Sequence, residues 1–319
     1  MRNFTEICDT TIMRIIKSND KNAQIKLPPS SRVPIKTSKN LFTHHINFVV
    51  LGKRGSGKSV LITNYLRLLK QENKADRIFV ISPTIDSNRA LLNSLDIQEE
   101  DIYDPEAPDA IDQIMAAVNK ERDDYVKDLN KIKRWKRFCK LVDGNMPVYH
   151  IDPYLLLEFS DTHGNPVEPK LKYGHRPILH LFVDDCQSSP LFRNRRYLNF
   201  VIRHRHIGGM PFEKGDKEMC GSIGISHYVA VQNNKATSGG LPRAVRNNAT
   251  QMAIVGKSKD EQELKDIYSS VAGEIDYDKF MEAYEYATKE PHGSLILDLH
   301  PKEPHMKFRK NLDEFIDFS

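Results

Sequence analysis

The feature that most constrains this 319-residue chain is the octapeptide Gly52–Ser59, which reads GKRGSGKS. It matches the pattern GxxxxGK[ST], in which glycines let the backbone curl so that its N–H groups point at phosphate oxygens. The apolar run His45–Leu51 precedes it and predicts a strand buried on both faces, and apolar spacing predicts a helix over Ser59–Gln71. A strand, a phosphate loop and a helix in this order predict a P-loop nucleotide-binding fold.

Each residue of the loop has an expected role in holding ATP. The ammonium of Lys58 is expected to reach the β- and γ-phosphates, and the Ser59 hydroxyl to complete the coordination of Mg²⁺. The other positions are expected to bind phosphate mainly through backbone N–H groups: Gly52, Lys53, Arg54, Gly55, Ser56 and Gly57. The motif therefore predicts ATP and Mg²⁺ as cofactors.

Composition excludes several other classes of protein. The chain is 39% hydrophobic and 28% charged, which is typical of a folded protein and excludes a disordered chain or a coiled-coil rod. A mean hydropathy of -0.53 and the lack of an apolar run near ~18 residues exclude a transmembrane helix, and the N-terminus lacks the apolar segment of a secretory signal. Four scattered cysteines without a CxxC pair argue against disulfide or zinc frameworks and favour a reducing compartment. A net charge of +4 is too mild to imply nucleic acid by itself.

Alternating strand and helix patterns predict an α/β domain with a mainly parallel sheet covered by helices on both faces, like the RecA/ASCE class of P-loop NTPases. Residues 1–43 are expected to form an N-terminal arm, 44–300 the ATPase domain and 301–319 a C-terminal tail. An irregular insertion is expected near 143–176, where prolines and turn residues are frequent.

Further strands are predicted over Arg77–Ser82, Pro177–Val183, His227–Val231, Gln251–Val255 and Gly293–Leu297, and helices from Asp109 to Leu141 and over Tyr197–Arg205, Lys259–Val271 and Tyr277–Lys289.

Polar side chains follow two of these strands. Asp184 and Asp185 end the apolar strand that begins at Pro177, and Gln232 ends the strand His227–Val231. In a P-loop enzyme the first acid, Asp184, assists Mg²⁺ and the second, Asp185, can act as general base toward water. Gln232 is expected to contact the γ-phosphate and the attacking water. The alternative is that all three are solvated or capping residues at strand ends.

Basic residues are concentrated in three places. No acid lies between Cys186 and Phe212, a segment that holds Arg193, Arg195, Arg196, Arg203, Arg205 and two histidines. This segment is interpreted as a surface for phosphate or for a neighbouring subunit. Arg243 and Arg246 precede another strand, and one arginine of these groups is a candidate for a finger acting on the γ-phosphate of an adjacent subunit. The third group, Lys131–Lys140, is read equally well as a contact to nucleic-acid backbone or as an ordinary helix end.

Taken in order, these motifs resemble the FtsK–HerA superfamily of P-loop motors, and most closely its viral genome-packaging ATPases from poxviruses, other large DNA viruses and virophages. The resemblance covers about residues 45–260. By this resemblance Lys58 and Ser59 match the phosphate loop, Asp184 the magnesium-associated acid, Asp185 the catalytic acid and Gln232 the sensor glutamine. Arg246 matches the arginine that precedes a strand in this family, and Arg203 and Arg205 are the alternative candidates for this role.

The chain departs from the family pattern in three places. Asp185 stands where cellular members usually have glutamate, which shortens the reach of the base. Residues 211–222 lengthen the connection before the strand that ends at Gln232, and the insertion near 143–176 has no counterpart.

The resemblance implies an ATPase that translocates double-stranded DNA without reading its sequence and packages a viral genome. It further implies a pentameric or hexameric ring with ATP at its interfaces, capsid or portal proteins as partners, and a location at the virus-assembly site in the host cytoplasm or nucleus, or in the virion. Two other functions remain open: a helicase or conjugation-type DNA pump, and a nucleotide-binding assembly scaffold without significant hydrolysis.

Overall fold

The structure is a computed structural model that describes residues 35–318, except 85–88, 91, 145–146, 215–216, 235–239, 259, 272 and 274. Most of the expected N-terminal arm, residues 1–34, lies outside the described residues. The described strands are β1 (Asn47–Leu51), β2 (Arg77–Ile81), β3 (Ile102–Tyr103), β4 (Leu179–Asp184), β5 (Gly209–Lys214), β6 (Lys217–Ser222), β7 (Ile225–Val231), β8 (Gln251–Val255), β9 (Ser294–Asp298), β10 (Phe308–Lys310) and β11 (Glu314–Ile316).

Nine of these strands form one sheet in the order β11-β10-β9-β8-β1-β7-β4-β2-β3. Strands β3, β2, β4, β7, β1 and β8 are parallel to one another, as the sequence predicts. The strand β7 lies between the phosphate-loop strand β1 and the acidic strand β4, so the carboxyl ends of all three meet at one edge. The order of the strands therefore brings the three predicted motifs together and gives an α/β P-loop NTPase fold.

Helices cover both faces of the sheet. The described helices are α1 (Lys58–Gln71), α2 (Ala110–Asp143), α3 (Pro153–Glu158), α4 (Arg195–Arg203), α5 (Arg243–Asn247), α6 (Glu261–Tyr268) and α7 (Tyr277–Ala287). Alternate residues of β1 serve opposite faces: Phe48 and Val50 pack with α1, whereas Val49 and Leu51 pack in the larger core that includes α2, α4 and α7. Burial on both faces explains why the sequence of this strand is apolar from Phe48 to Leu51. Within the described residues, none of the helices has the length and apolar character needed to cross a membrane.

The C-terminal residues extend the sheet by antiparallel pairing. β9 pairs antiparallel with β8, and β10 and β11 continue the sheet to Ile316. The sheet therefore continues beyond residue 300, where the sequence analysis places the end of the ATPase domain. Arg309 of β10 is 2% exposed; its guanidinium carbon lies 4.4 Å from the ring centre of Phe42, and Nη2 lies 3.5 Å from Asp298 Oδ2. Packing on an aromatic face and pairing with a carboxylate compensate the burial of this cation.

The insertion near 143–176 is mostly irregular and is anchored on the end of α2. Its short helix α3 contributes to a small core in which Phe138, Ile151 and Phe159 are buried. Trp135 packs against this core, with its ring centre 5.3 Å from that of Phe159. The aromatic residues of the basic stretch Lys131–Lys140 therefore have a structural role. The longer connection at 211–222 forms part of a hairpin in which β5 pairs antiparallel with β6.

Candidate nucleotide-binding site

The loop between β1 and α1 has the backbone geometry that its glycines allow. Gly55 and Gly57 have φ angles of 76° and 103°, which side-chain-bearing residues rarely adopt. A Cβ on Gly52 would lie 2.7 Å from the Val255 carbonyl oxygen, so only glycine fits between β1 and β8. The Gly52 N–H donates to the Val231 carbonyl at 3.2 Å and ties the loop to β7. This backbone leads into the N-terminus of a 14-residue helix, where N–H groups favour an anion.

Lys58, the first residue of α1, folds over this loop. Its Nζ donates to the Lys53 carbonyl at 2.9 Å, and the residue is 9% exposed. Burial lowers the pKa of Lys58, whereas the nearby Asp184 and Asp185 carboxylates act in the opposite direction. The ammonium is therefore held within the curl of the loop, where phosphate oxygens would replace the Lys53 carbonyl as its acceptor.

Ser59 and Asp184 form the part of the site that can hold a divalent cation. The Ser59 hydroxyl lies 2.9 Å from each carboxylate oxygen of Asp184, and Asp184 is 3% exposed at the end of β4. A hydroxyl and a carboxylate are hard oxygen donors, which Mg²⁺ prefers together with phosphates and water. Among the described residues, no group of three or more His, Cys, Asp or Glu side chains lies close enough together to hold a metal ion. The donor set fits a magnesium ion that is shared with a nucleotide.

Asp185 and Gln232 meet beside this pair. The chain turns at Asp185, whose φ of 51° is left-handed, and its carboxylate is exposed. Gln232, directly after β7, donates from Nε2 to Asp185 Oδ1 at 3.2 Å. The backbone N–H of Gln232 donates to Gln187 Oε1 at 2.9 Å. The strand-end acid and the strand-end amide thus form one hydrogen-bonded unit at the edge of the sheet.

Gln187 is a functional candidate that the sequence analysis missed. It lies in the turn after β4 and fixes the backbone of Gln232. The only sequence signal was its position, three residues after Asp184, because glutamine in a turn has no distinctive pattern.

The structure places the predicted arginine Arg246 on α5, half-buried. Its Nη1 donates to the carbonyls of Asn234 at 2.8 Å and Leu241 at 2.9 Å. Arg246 therefore links the backbone at Asn234, shortly after the end of β7, to the backbone at Leu241, shortly before α5. Arg243, on the same helix, is exposed. A role of Arg246 toward a neighbouring subunit stays a prediction.

The rival arginines lie on and after α4. Arg203 is exposed and Arg205 is half-buried. His204 between them is buried and contacts the Val201 carbonyl at 2.6 Å through Nδ1, and burial lowers its pKa. Arg196 of the same helix pairs with Asp112 of α2. The segment is thus an arginine-rich outer surface combined with one buried histidine.

His292 was also missed by the sequence analysis and contacts the phosphate loop directly. It precedes β9, has a φ of 64°, and its Nδ1 lies 2.9 Å from the Ser56 carbonyl oxygen. A single histidine in a Pro-His-Gly turn carries no sequence signal for this contact. The loop between β1 and α1 is therefore supported from the C-terminal part of the sheet.

Comparison with solved structures gives two kinds of neighbour. The genome packaging NTPase B204 from Sulfolobus turreted icosahedral virus 2, in complex with AMPPCP, has a TM-score of 0.42 and 12% identity, covering 84% of this chain and 97% of that chain. The pCW3 conjugation coupling protein TcpA, with ATPgS, has a TM-score of 0.40 and 14% identity, covering 89% of this chain and 63% of that chain.

No protein-family model matches the chain, and no curated protein matches it either. At these low similarities the assignment of the fold depends on the chain itself, namely its strand order and the geometry of Gly52–Ser59.

Proposed function

We propose that this protein is an ATP-hydrolysing motor of the FtsK–HerA type that translocates double-stranded DNA to package a viral genome. The observation that carries the proposal is the meeting of Lys58, Ser59, Asp184, Asp185 and Gln232 at one edge of the sheet. A phosphate loop alone would support binding. A second acid hydrogen-bonded to a strand-end glutamine adds the groups that orient and deprotonate a water molecule.

Each residue of the site has a distinct proposed role in ATP hydrolysis. Backbone N–H groups of Gly52–Ser59 and the Lys58 ammonium bind the β- and γ-phosphates and orient them. The Ser59 hydroxyl and the Asp184 carboxylate would hold Mg²⁺, which would supply positive charge to the phosphates. Asp185 accepts the proton of the attacking water. The amide of Gln232, fixed through Asp185 and Gln187, orients that water.

Coupling to DNA is supported by charge and by the family resemblance. The exposed guanidinium groups of Arg193, Arg195 and Arg203 lie on the segment around α4. Such groups contact phosphates without reading bases, which suits a motor that moves any sequence. In the proposed ring this surface and α5 face neighbouring subunits or DNA, and Arg246 or one of its rivals completes the adjacent ATP site. We place the protein at the virus-assembly site, with capsid or portal proteins as partners.

The test is ATP turnover by the full chain at low salt, with and without linear double-stranded DNA. Low salt is needed because phosphate contacts weaken steeply as salt rises. We expect turnover that rises with DNA of any sequence and falls about 10²-fold or more in Asp185→Asn. Turnover that ignores DNA would overturn the translocase and favour a protein-directed role, whereas ATP binding without turnover would favour an assembly scaffold.

A helicase is distinguished by a second substrate. Strand displacement on a forked duplex, or stronger stimulation by single strands than by duplex, would favour the helicase over the packaging motor. Movement along duplex without strand separation is the result expected here.

A further inference from the structure

A large cavity adjoins the phosphate loop on the side of α1. It has a volume of about 830 Å³ and reaches from Gly57 and Lys58, along the first turns of α1, to His292 and the turn between β10 and β11. A volume of this order is typical of small-molecule sites. Two of its walls come from the C-terminal, antiparallel part of the sheet, which contributes nothing to the predicted phosphate loop.

We propose that this cavity binds the base and ribose of the nucleotide, and that His292, Leu312 and Asp313 are nucleoside-binding residues. The inference rests on the proposed nucleotide binding at Gly52–Ser59 and extends it to a part of the chain outside the recognised motifs. The ligand class is the nucleoside portion of a nucleoside triphosphate, whose phosphates occupy the loop while its base lies along α1.

The position of His292 is the first observation in support. A φ of 64° is unfavourable for a residue with a side chain, and such strain is kept where the surroundings impose it. The next residue must be glycine, since a Cβ on Gly293 would lie 2.4 Å from the Ala287 carbonyl oxygen. The turn thus places the imidazole against the phosphate loop at the entrance of the cavity. Because its Nδ1 meets the carbonyl of Ser56 at 2.9 Å, Nδ1 must carry the hydrogen.

In that tautomer Nε2 is the ring nitrogen that can form a hydrogen bond with a ligand. In the neutral ring Nε2 accepts a hydrogen bond, as from a ribose hydroxyl, and in the protonated ring it donates one to a phosphate oxygen. Both partners belong to the portion of a nucleotide that leaves the phosphate loop. His292 is therefore positioned between the phosphates and the nucleoside.

The turn between β10 and β11 forms the far wall and is held rigidly. Asn311 has a φ of 54°, and its Oδ1 accepts from the Ser294 N–H at 3.0 Å and from the Ser294 hydroxyl at 3.1 Å. Its own N–H donates to the Ser294 carbonyl at 2.8 Å. These bonds fix the next two residues, Leu312 and Asp313, at the edge of the cavity.

The lining has the mixed chemistry that a heteroaromatic base requires. Leu312 and Val60 offer apolar surface to a ring, and Val60 is 45% exposed at the start of α1. Exposed apolar side chains beside a cavity favour a planar apolar ligand face. The Asp313 carboxylate accepts hydrogen bonds from amino or ring N–H groups of a base, and Asn64 of α1 can donate or accept.

The experiment compares two ligands that share the phosphates and differ in the nucleoside. Affinities of the full chain for ATP and for inorganic tripolyphosphate are measured in the presence of Mg²⁺, by calorimetry or competition. The variants are His292→Ala, Leu312→Ala and Asp313→Ala, with Glu282→Ala as a control that removes an exposed carboxylate of α7 that does not line the cavity. Urea unfolding of each variant establishes that it is folded.

We expect the parent chain to bind ATP more tightly than tripolyphosphate. Leu312→Ala and Asp313→Ala should each weaken ATP about tenfold and leave tripolyphosphate within about twofold, as loss of one well-placed contact predicts. His292→Ala should weaken ATP more than tripolyphosphate. His292→Ala also loses the contact to the Ser56 carbonyl, so its effect could come from the phosphate loop. The Leu312→Ala and Asp313→Ala variants therefore decide the test.

The outcomes separate the two proposals. A parent chain that binds ATP no better than tripolyphosphate, or turn variants that leave ATP affinity unchanged, would overturn the nucleoside site and leave the phosphate loop intact. Variants that weaken both ligands equally would make these residues supports of the loop and likewise overturn the assignment. If the parent chain binds neither ligand, both this site and the proposed function fall.

Discussion

Gln232 donates a hydrogen bond from its amide Nε2 to Oδ1 of Asp185 over 3.2 Å, although the two residues are 47 positions apart in sequence. The contact forms because β7 and β4 are neighbouring parallel strands, with Asp184 in register with Ala230. Both residues follow the ends of their strands at the same edge of the sheet. The proposed base and the proposed sensor therefore hold each other in place.

This contact allows the charge of Asp185 to be separated from its shape. Asp185→Asn keeps an oxygen that can accept from Gln232 but removes the base, so we expect turnover to fall about 10²-fold or more with ATP affinity nearly unchanged. Asp185→Ala should also lose the contact to Gln232. Steady-state turnover and nucleotide titration check both variants, and an Asp185→Asn protein that hydrolyses ATP at the parental rate would contradict the assignment of the base.

Lys58→Ala tests the phosphate loop. The Lys58 ammonium is held by one carbonyl of its own loop, so its loss removes the main positive charge offered to the β- and γ-phosphates without emptying the hydrophobic core. We expect loss of ATP binding or of turnover, with unchanged far-UV circular dichroism and urea midpoint. Lys279→Ala, which removes an exposed lysine of α7, is the matched control. Undiminished turnover in Lys58→Ala would argue against the loop as the catalytic site.

The sequence predicted the central part of this architecture because the same physical constraint acts on each of its strands. Strands such as β1 and β4 are buried on both faces, which leaves the apolar runs Phe48–Leu51 and Leu181–Val183, and the loop after β1 needs glycines at Gly55 and Gly57. The observed order of the strands, which places β7 beside β4, then brings Asp185 and Gln232 together.

The edges of the molecule could not be predicted in the same way. β10 is three residues long and includes two cations, Arg309 and Lys310, so its sequence has no apolar pattern. Its place in the sheet depends on pairing of Arg309 with Asp298 of β9 and on packing of Arg309 against Phe42, which is remote in sequence. His292 and Gln187 act through single contacts to distant backbone atoms, and such contacts leave no periodicity to detect.

Arg246 has a structural role and a proposed role between subunits, and substitution can distinguish the two. Its Nη1 bonds to the carbonyls of Asn234 and Leu241, so Arg246→Ala should lower the free energy of unfolding by about 2 kcal/mol, as loss of charge-assisted bonds at a half-buried site predicts. Arg243→Ala, at an exposed position on the same helix, should change it by less than about 0.5 kcal/mol. Urea unfolding of the two variants makes this comparison, and equal effects would remove the structural role.

The guanidinium has further donors on Nη2 and Nε, which the proposed ring directs at the neighbouring γ-phosphate. We expect Arg246→Ala to bind ATP nearly normally and to suppress turnover in the assembled ring. Mixing it with Asp185→Asn subunits should restore part of the activity, because some interfaces then combine an intact arginine with an intact base. Mixtures that stay as inactive as the separate variants would count against action between subunits.

Buried histidines predict that acid weakens the fold. His180 and His227 are fully buried and lie between protein partners: His180 Nε2 contacts the Lys74 carbonyl at 2.8 Å, and His227 Nδ1 contacts Asn47 Oδ1 at 2.8 Å. Burial lowers the pKa of His180 to about 4 and that of His227 to about 3. In the unfolded chain both have a pKa near 6.5, so below that pH the unfolded chain binds more protons than the folded one.

The contribution of these two histidines to the free energy of unfolding is therefore fully present above pH ~6.5. It is lost as the pH falls toward their folded-state pKa values. At pH ~5.5 each histidine should cost roughly 1.4 kcal/mol of unfolding free energy relative to pH ~7.5. Burial raises the pKa of Asp76 and Asp298 and acts in the opposite sense, so the difference between variant and parent is the quantity to measure. His180→Gln keeps polar atoms for its neighbours but cannot titrate, and it should reduce the loss between these two pH values by about 1.4 kcal/mol in urea unfolding. His163→Gln, which removes an exposed histidine, is the control. A pH dependence that is identical in His180→Gln and the parent would contradict a lowered pKa of His180 in the folded protein.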